Sequence, residues 1–376
     1  MFKLLTVFAV ALVLAYFSQK NTKAVTSSGY VYKAYKDWAY VLLVVVLVLF
    51  AGLRTSYNDT HNYVGIYNQL PGLGGFLSDA DNLNPLSNPL FYLFLNILKL
   101  FTSNAQVFIF LTSLFTQICF VKFIKRYSQN FVFGIFIYFT LGTFALTLAA
   151  IKQVVAMGVL TLAIPYLLKK KWVKYYLLVL VAMLIHTYAL AFAILPLFIV
   201  RPWKLFTYVF ASAMAFFMMN FQEIITAFLE QADEMGKNIA EYEVFDDTSV
   251  NVFRIAVYIV TPIISLVFQK WVFKGSTSAN HVLVHMSIIS LAFMIMGTQS
   301  GANMFGRMAN YFELGTVCSL PWMLKQTFEK RSYKLVSILA VAGFMGFFIY
   351  ANAIKISFDI EYQSVGILKF ISSLFV

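Results

Sequence analysis

The chain has 376 residues, of which 61% are hydrophobic and only 12% charged, with a mean hydropathy of +0.78 and a formal net charge of +12. So much apolar surface exceeds what one soluble core hides, which excludes a soluble globule and predicts a multi-spanning membrane protein. Lys and Arg collect in the cytoplasmic loops of such proteins, so the positive balance reports orientation, and no nucleic-acid partner is expected.

In chain order, the first 20 residues, MFKLLTVFAVALVLAYFSQK, carry an apolar run with no small-x-small cleavage site and read as a retained first helix. A span needs about 20 apolar residues, fewer where flanking side chains snorkel. By that measure the predicted spans are Phe2–Phe17, Trp38–Leu53, Leu86–Phe101, Ala105–Phe123, Phe131–Ala145, Leu148–Leu168, Val173–Ile185, Tyr188–Val200, Leu205–Phe221, Val252–Phe268, Val282–Met296, Met308–Met323 and Tyr333–Tyr350. The run Phe131–Leu168 is too long for one crossing, and His186 with Thr187 divides Val173–Val200. The expectation is an all-α, polytopic integral membrane protein with about 12 to 14 transmembrane helices and short re-entrant or interfacial segments. It forms one membrane domain over residues 1–376, with outer loops 54–85 and 223–250 covering the active site.

Loop charge orients the set. Gln19–Asp37, Lys122–Asn130, Lys169–Lys174, Arg201–Lys204, Lys270–His281 and Lys325–Lys334 are basic and predicted cytoplasmic; Arg54–Pro85 and Glu223–Val250 are acidic and predicted outside, with both termini. Alternation fails once. If Leu86–Phe101 crosses, the basic Lys122–Asn130 loop lands outside, so either that segment is re-entrant or interfacial or a crossing is miscounted. Cys119 and Cys318 lie in apolar runs with no metal or disulfide spacing, and neither metal nor cofactor is expected.

Charged groups near membrane depth are costly, which makes them candidates for function. The stretch AGLRTSYNDTHNYVGIY follows an apolar run and sets Arg54, Asp59, His61, Tyr63 and Tyr67 where a span meets water. Lys152 and Gln153 open the Leu148–Leu168 span, His186 sits in a tight turn, Arg254 begins a span, and Arg307, Tyr311 and Glu313 lie at the outer end of another. In the loop after Phe221, Tyr242 and Glu243 suit a sugar groove, since aromatic faces cover sugar rings and carboxylates accept their hydroxyls. The loop charges place all of these on one face. Snorkelling accounts for Arg54 and a closed helix turn for His186 equally well; Lys152, in the apolar LAAIKQVVAM, has nothing nearby in sequence to neutralise it. Several cations at one face suit a phosphate or pyrophosphate, whereas signatures of nucleotide hydrolysis, zinc proteolysis and serine hydrolysis are lacking.

These motifs resemble a known family. GLRTSYNDTHNYVGIY is similar to the signature of Gly-Leu-Arg, then Asp, then spaced tyrosines in the EpsG-like branch of Wzy-type polysaccharide polymerases. AAIKQVVAMGVL resembles the family's Arg-Gln motif, AMLIHTYAL its motif of His followed by small residues, and FGRMANYFEL its late Arg/Tyr-Phe element, in the expected order from Gly52 to Phe312. Lys152 stands where Arg is usual, and Asn88 is neutral near where relatives often carry an acid. The resemblance implies a GT-C-like membrane glycosyltransferase of the bacterial plasma membrane, with its active site facing outside. Its donor and acceptor are undecaprenyl-pyrophosphate-linked oligosaccharides, and its expected company is membrane lipid, a chain-length regulator and a flippase. In that frame Arg54, Lys152, Gln153 and Arg307 bind pyrophosphate; His186 or Asp59 deprotonates the attacking hydroxyl; and His61, Tyr63, Tyr67, Tyr242, Glu243, Arg254, Tyr311 and Glu313 meet sugar or lipid. Two rival readings remain, a flippase or transporter of the same lipid-linked oligosaccharide and a membrane O-acyltransferase.

Overall fold

The structure is a computed structural model that describes residues 1–21, 24–27, 30–33, 37–220, 223, 249–299, 303–355 and 357–374. It is all-α and polytopic, apart from two short antiparallel ribbons, β1 (Ala24–Ser27) with β2 (Tyr30–Lys33) and β3 (Arg54–Ser56) with β4 (Gln363–Ser364). The chain forms two compact units, residues 1–193 with 338–376, and residues 194–337.

The first unit is built on α1 (Phe2–Lys20), α2 (Trp38–Gly52), α6 (Ala105–Tyr127), α9 (Ile151–Leu168) and α10 (Trp172–Ile185). Such segments are helical because a lipid-exposed backbone must satisfy its own hydrogen bonds, and largely apolar because polar side chains are costly in hydrocarbon. Polar side chains mark the starts: Asp37 accepts from Tyr40 N at 3.1 Å, Asn104 from Gln106 N at 2.9 Å and Asn130 from Phe133 N at 3.0 Å. The close approach of α2 and α6 depends on Gly52, where a Cβ would stand 2.8 Å from Phe110. The expected Phe131–Ala145 span breaks at Gly142, whose φ of +98° suits glycine, into α7 (Phe131–Thr140) and α8 (Thr143–Ala149), bent by 53°.

The helices run antiparallel and give the unit two unlike ends. At one end Lys125 Nζ lies 2.6 Å from Asp37 Oδ2, and Ser18 Oγ donates to the same oxygen at 2.6 Å. Burial alone raises the Asp37 carboxyl, but the Lys125 ammonium and the Ser18 and Tyr40 donors outweigh it and hold the carboxyl below its usual value. At the other end, the end of α2, the start of α6, the start of α1 and the chain after Phe358 meet. There Gln106 Nε2 donates to the Gly52 and Arg54 carbonyls at 2.7 and 3.1 Å, and Tyr362 Oη to Phe50 O at 2.7 Å.

The predicted segment Leu86–Phe101 does not cross. It becomes the eleven-residue α5 (Pro89–Lys99), about 16 Å long against a hydrocarbon core of about 30 Å, and both flanks stay at the Arg54 end. Thr187 Oγ1 donates to Leu86 O at 3.1 Å, Lys99 Nζ to the Asn68 and Leu70 carbonyls at 2.9 Å each, and Tyr67 Oη to Thr102 O at 2.7 Å. With α3 (Thr60–Gln69) and α4 (Gly72–Ser78) it forms a cap of short helices over one end. The failure of charge alternation disappears, because Lys122–Asn130 now shares its end with Lys20 and Asp37.

The second unit holds α11 (Leu205–Met219), α12 (Phe253–Tyr258), α13 (Val260–Val267), α14 (Gln269–Val272), α15 (Ser278–Met296), α16 (Asn303–Asn310) and α17 (Leu314–Thr327). Two predicted spans are broken here: Val252–Phe268 divides at Ile259, with Pro262 in the first turn of α13, and Met308–Met323 divides at Tyr311–Glu313. Buried α15 is the centre of the unit, and α17 lies so close that a Cβ on Gly315 would stand 2.5 Å from the Leu283 carbonyl. Between α10 and α11, the predicted Tyr188–Val200 span is a 3₁₀ helix over Thr187–Phe198, and α18 (Lys330–Ile349) leads back to the first unit. Among the described residues five helices are long and apolar enough to cross alone, and the α7–α8 pair makes a sixth; five more are shorter apolar helices of 10–17 residues. The shortfall against the predicted span lengths comes from these breaks and early caps.

Candidate functional site

The Arg54 end of the first unit gathers most of the residues singled out from the sequence. Arg54 follows α2 directly and is 0% exposed. Its Nε donates to Thr60 Oγ1 at 3.3 Å and its Nη1 to Ser113 Oγ at 3.0 Å and to the Ala51 carbonyl, while Nη2 has no hydrogen-bond partner among the described residues. Burial pushes the guanidinium down to about 10, so it keeps its charge at neutral pH. Asp59 and His61 lie on the exposed start of α3. Tyr63 and Tyr67 are turned inward, Tyr67 stacked on Phe108 with centroids 5.6 Å apart and Tyr63 edge-on to Phe91 at 6.2 Å.

Lys152 is half-buried in the first turn of α9. A cation there is unfavourable, because the helix dipole already concentrates positive potential at its N-terminus. Its backbone N–H reaches Tyr63 Oη at 3.4 Å, and its Nζ lies 3.4 Å from Tyr92 Oη and 5.4 Å from that ring's centroid. No carboxylate pairs with it among the described residues. Gln153, next along, is buried.

His186 ends α10 in an extended conformation, its N–H closing the helix on Ala182 O at 2.9 Å and its ring edge-on to Tyr188 at 5.2 Å. The turn is held from outside α10: Asn88 Oδ1 accepts from Thr187 N at 3.1 Å and from Thr187 Oγ1 at 3.3 Å. Asn88 adopts a left-handed φ of 60°, which Asn tolerates better than most residues, and precedes α5. Tyr92, the partner of Lys152, is one turn further along α5, so a single helical turn of about 5 Å anchors both the His186 turn and the Lys152 side chain. Short helix α5 brings two distant motifs to one place.

The remaining predicted residues belong to the second unit or fall outside the described residues. Arg254, Tyr311 and Glu313 belong to the second unit, where Arg254 and Glu313 join one network: Arg254 Nη2 donates to Tyr258 Oη and Asn310 Oδ1, both at 3.3 Å, and Tyr258 Oη donates to Glu313 Oε2 at 2.7 Å. Tyr258, Tyr311 and Glu313 are buried, whereas Arg307 is exposed on α16. Tyr242 and Glu243 fall outside the described residues. Tyr92 and Tyr258 were not legible as site residues, although Tyr258 stands four residues after Arg254 on one helix face, the spacing at which side chains meet; nothing in the sequence links Tyr92 to Lys152.

The model of the EpsG family matches residues 37–364, well over half of the chain. The match runs from Asp37 of the buried ion pair to Ser364 of β4, the strand paired with Arg54. No curated protein and no solved structure matches this chain.

Proposed function

Because the chain belongs to the EpsG family, we propose that it is a polysaccharide polymerase, a GT-C-like membrane glycosyltransferase that joins undecaprenyl-pyrophosphate-linked repeat units at the outer leaflet of a bacterial plasma membrane. The observation that carries the reading is Lys152: a half-buried cation with no carboxylate partner among the described residues, held beside the His186 turn by one turn of α5. A cation in that setting is matched to a pyrophosphate, whose charge it stabilises as the bond to the sugar breaks. Arg54, buried at the same end of the unit, adds fixed positive potential.

In the reaction, a sugar hydroxyl of the acceptor unit attacks the anomeric carbon of the donor chain. The new glycosidic C–O bond forms as the old C–O bond to pyrophosphate breaks, the hydroxyl proton passes to His186 or Asp59, and undecaprenyl pyrophosphate leaves. Two bases are candidates: His186, half-buried at the end of α10, and Asp59, exposed at the start of α3. A general base contributes about 10² to 10⁴ in rate. The outward direction rests on the opposite end, where Lys20, Lys122, Lys125, Arg126 and Lys169 to Lys171 collect as expected of a cytoplasmic face.

The test is purified protein in proteoliposomes supplied with lipid-linked repeat units, with and without EDTA. A ladder of polymer lengths supports the proposal; transport without bond formation indicates a flippase, and acylated product an O-acyltransferase. His186→Ala and Asp59→Asn, run side by side, assign the base by which one abolishes the ladder while leaving donor binding intact.

A further inference from the structure

A crevice of about 680 Å³ lies between α1 and α2, walled by Val7, Val10, Val46 and Leu49 and bounded at the Arg54 end by Lys3 and Tyr362. From Lys3 to Val10 it follows α1 for about 10 Å, and its volume is that of a small-ligand site. We propose that this crevice holds the first isoprene units of the lipid-linked substrate in a docking position, with the pyrophosphate drawn to Lys3 at its mouth before it passes to Lys152. The proposal rests on the polymerase reading of the same unit.

Three features converge on that occupant. The walls are no more apolar than bilayer hydrocarbon, so a tail gains little from transfer alone, and its residence here must come from shape and from a charged anchor. Lys3 supplies the anchor. Its Nζ donates to the Tyr362 carbonyl at 2.8 Å and the Asp359 carbonyl at 3.2 Å, which leaves one ammonium N–H for an anion. The nearby Asp359 carboxylate is already occupied, 2.7 Å from the Met1 ammonium and accepting from Phe2 N at 2.6 Å and Lys3 N at 3.1 Å. The third feature is continuity: Leu53 and Ser364 line the crevice, and Ser364 pairs with Arg54 across the β3–β4 ribbon. A head group at the mouth therefore sits beside the strand that leads to the candidate site. A partner transmembrane helix suits the mouth less well, since its backbone carries no net charge to meet Lys3.

The experiment uses the full chain in phosphatidylcholine nanodiscs and a polyprenyl pyrophosphate carrying a diazirine in its first isoprene units, with cross-links mapped by mass spectrometry. Labelling should fall on the Val7–Val10 and Val46–Leu49 segments, be displaced by unlabelled polyprenyl pyrophosphate, and resist the same excess of phosphatidylglycerol or of a single-span peptide. Lys3→Gln should cut it about tenfold and Lys3→Arg should restore it, as expected for one lost charge-assisted contact. Labelling absent from these segments, or displaced equally by phosphatidylglycerol or by the peptide, overturns the proposal. The polymer ladder reads the polymerase proposal separately: labelling without a ladder retires that reading and keeps the crevice, and a ladder without labelling here retires the crevice alone.

Discussion

Replacing Lys152 by Met keeps an unbranched stem of similar length and removes only the charge. A pyrophosphate oxygen at about 4 Å from Nζ, in surroundings of effective dielectric about 20, gains roughly 4 kcal/mol from the cation. Against this stands what Lys152 already has in the free protein: a 3.4 Å contact with Tyr92 Oη and the face of the same ring, with Nζ 5.4 Å from its centroid. A cation over an aromatic ring is worth about 0.5–1 kcal/mol at such a site, and so long a hydrogen bond adds little. The difference, about 3 kcal/mol, is a weakening of roughly a hundredfold in binding of the lipid pyrophosphate. Lys152→Arg should keep most of it, because a guanidinium keeps the charge, stacks on Tyr92 and adds a two-pronged donor. Binding of polyprenyl pyrophosphate by the detergent-purified variants, alongside initial ladder rates, measures both effects. Lys152→Met protein that melts like the parent and binds as tightly would refute the assignment.

Asn88→Ala removes the acceptor shared by Thr187 N and Thr187 Oγ1 and leaves alanine at a φ of 60°, for a combined cost of about 2–4 kcal/mol, whereas Asn88→Asp keeps an acceptor and tolerates the conformation. Thermal unfolding of the two variants should separate them, with polymer formation falling only in the first; equal melting temperatures would show that the His186 turn does not depend on this clamp. Gly315→Ala should destabilise by about 1–3 kcal/mol, because its methyl would meet both the Leu283 carbonyl and Met286 Cβ at 2.5 Å. A melting temperature equal to that of the parent would contradict the close approach of α15 and α17. Acid should loosen the start of α1: burial raises the Asp359 carboxyl, but the Met1 ammonium and the Lys3 and Phe2 N–H groups together outweigh it and hold the carboxyl below its usual value. With the folded value below the unfolded value of about 3.9, this stabilisation is complete above about pH 4 and is lost as pH falls through the folded value. Hydrogen exchange in α1 against pH reads it, and the pH dependence there should vanish in Asp359→Asn.

Composition and loop charge were enough to establish the class, the ends of most helices and one real anomaly. The basic Lys122–Asn130 loop could not be reconciled with a crossing at Leu86–Phe101, and the short α5 is the physical resolution of that conflict: residues apolar enough to enter a membrane, but too few to cross it. Burial of polar residues was harder to read. Arg54 looked like an interfacial residue because its neighbours in sequence are polar, yet its partner Ser113 stands 59 positions away on α6. Tyr63 and Tyr67 had the composition of a sugar platform, and their rings pack on Phe91 and Phe108 from two other helices. Asn88 was noticed only for the charge it lacks. Its left-handed backbone and its hold on Thr187 give it a structural task that a motif comparison does not weigh.

On the proposed reading, Arg54 and Lys152 divide the work by depth. Arg54 is 0% exposed and donates to neutral oxygens of Thr60, Ala51 and Ser113, so on that reading it would act on a bound ligand through its field and not through contact. At about 10 Å and an effective dielectric of about 20, such a field is still worth roughly 1.7 kcal/mol toward a unit negative charge. Lys152, half-buried and reaching Tyr92 only at 3.4 Å, is free to make the contact itself. A lone cation under the surface is costly in the absence of ligand, and a second at the start of α9 adds to that cost through the helix dipole. A pyrophosphate bound here, as proposed, would be stabilised by the same two features, and more so as the leaving group gains charge. On the proposed reading, the electrostatic cost held at this end of the unit is released when the pyrophosphate binds.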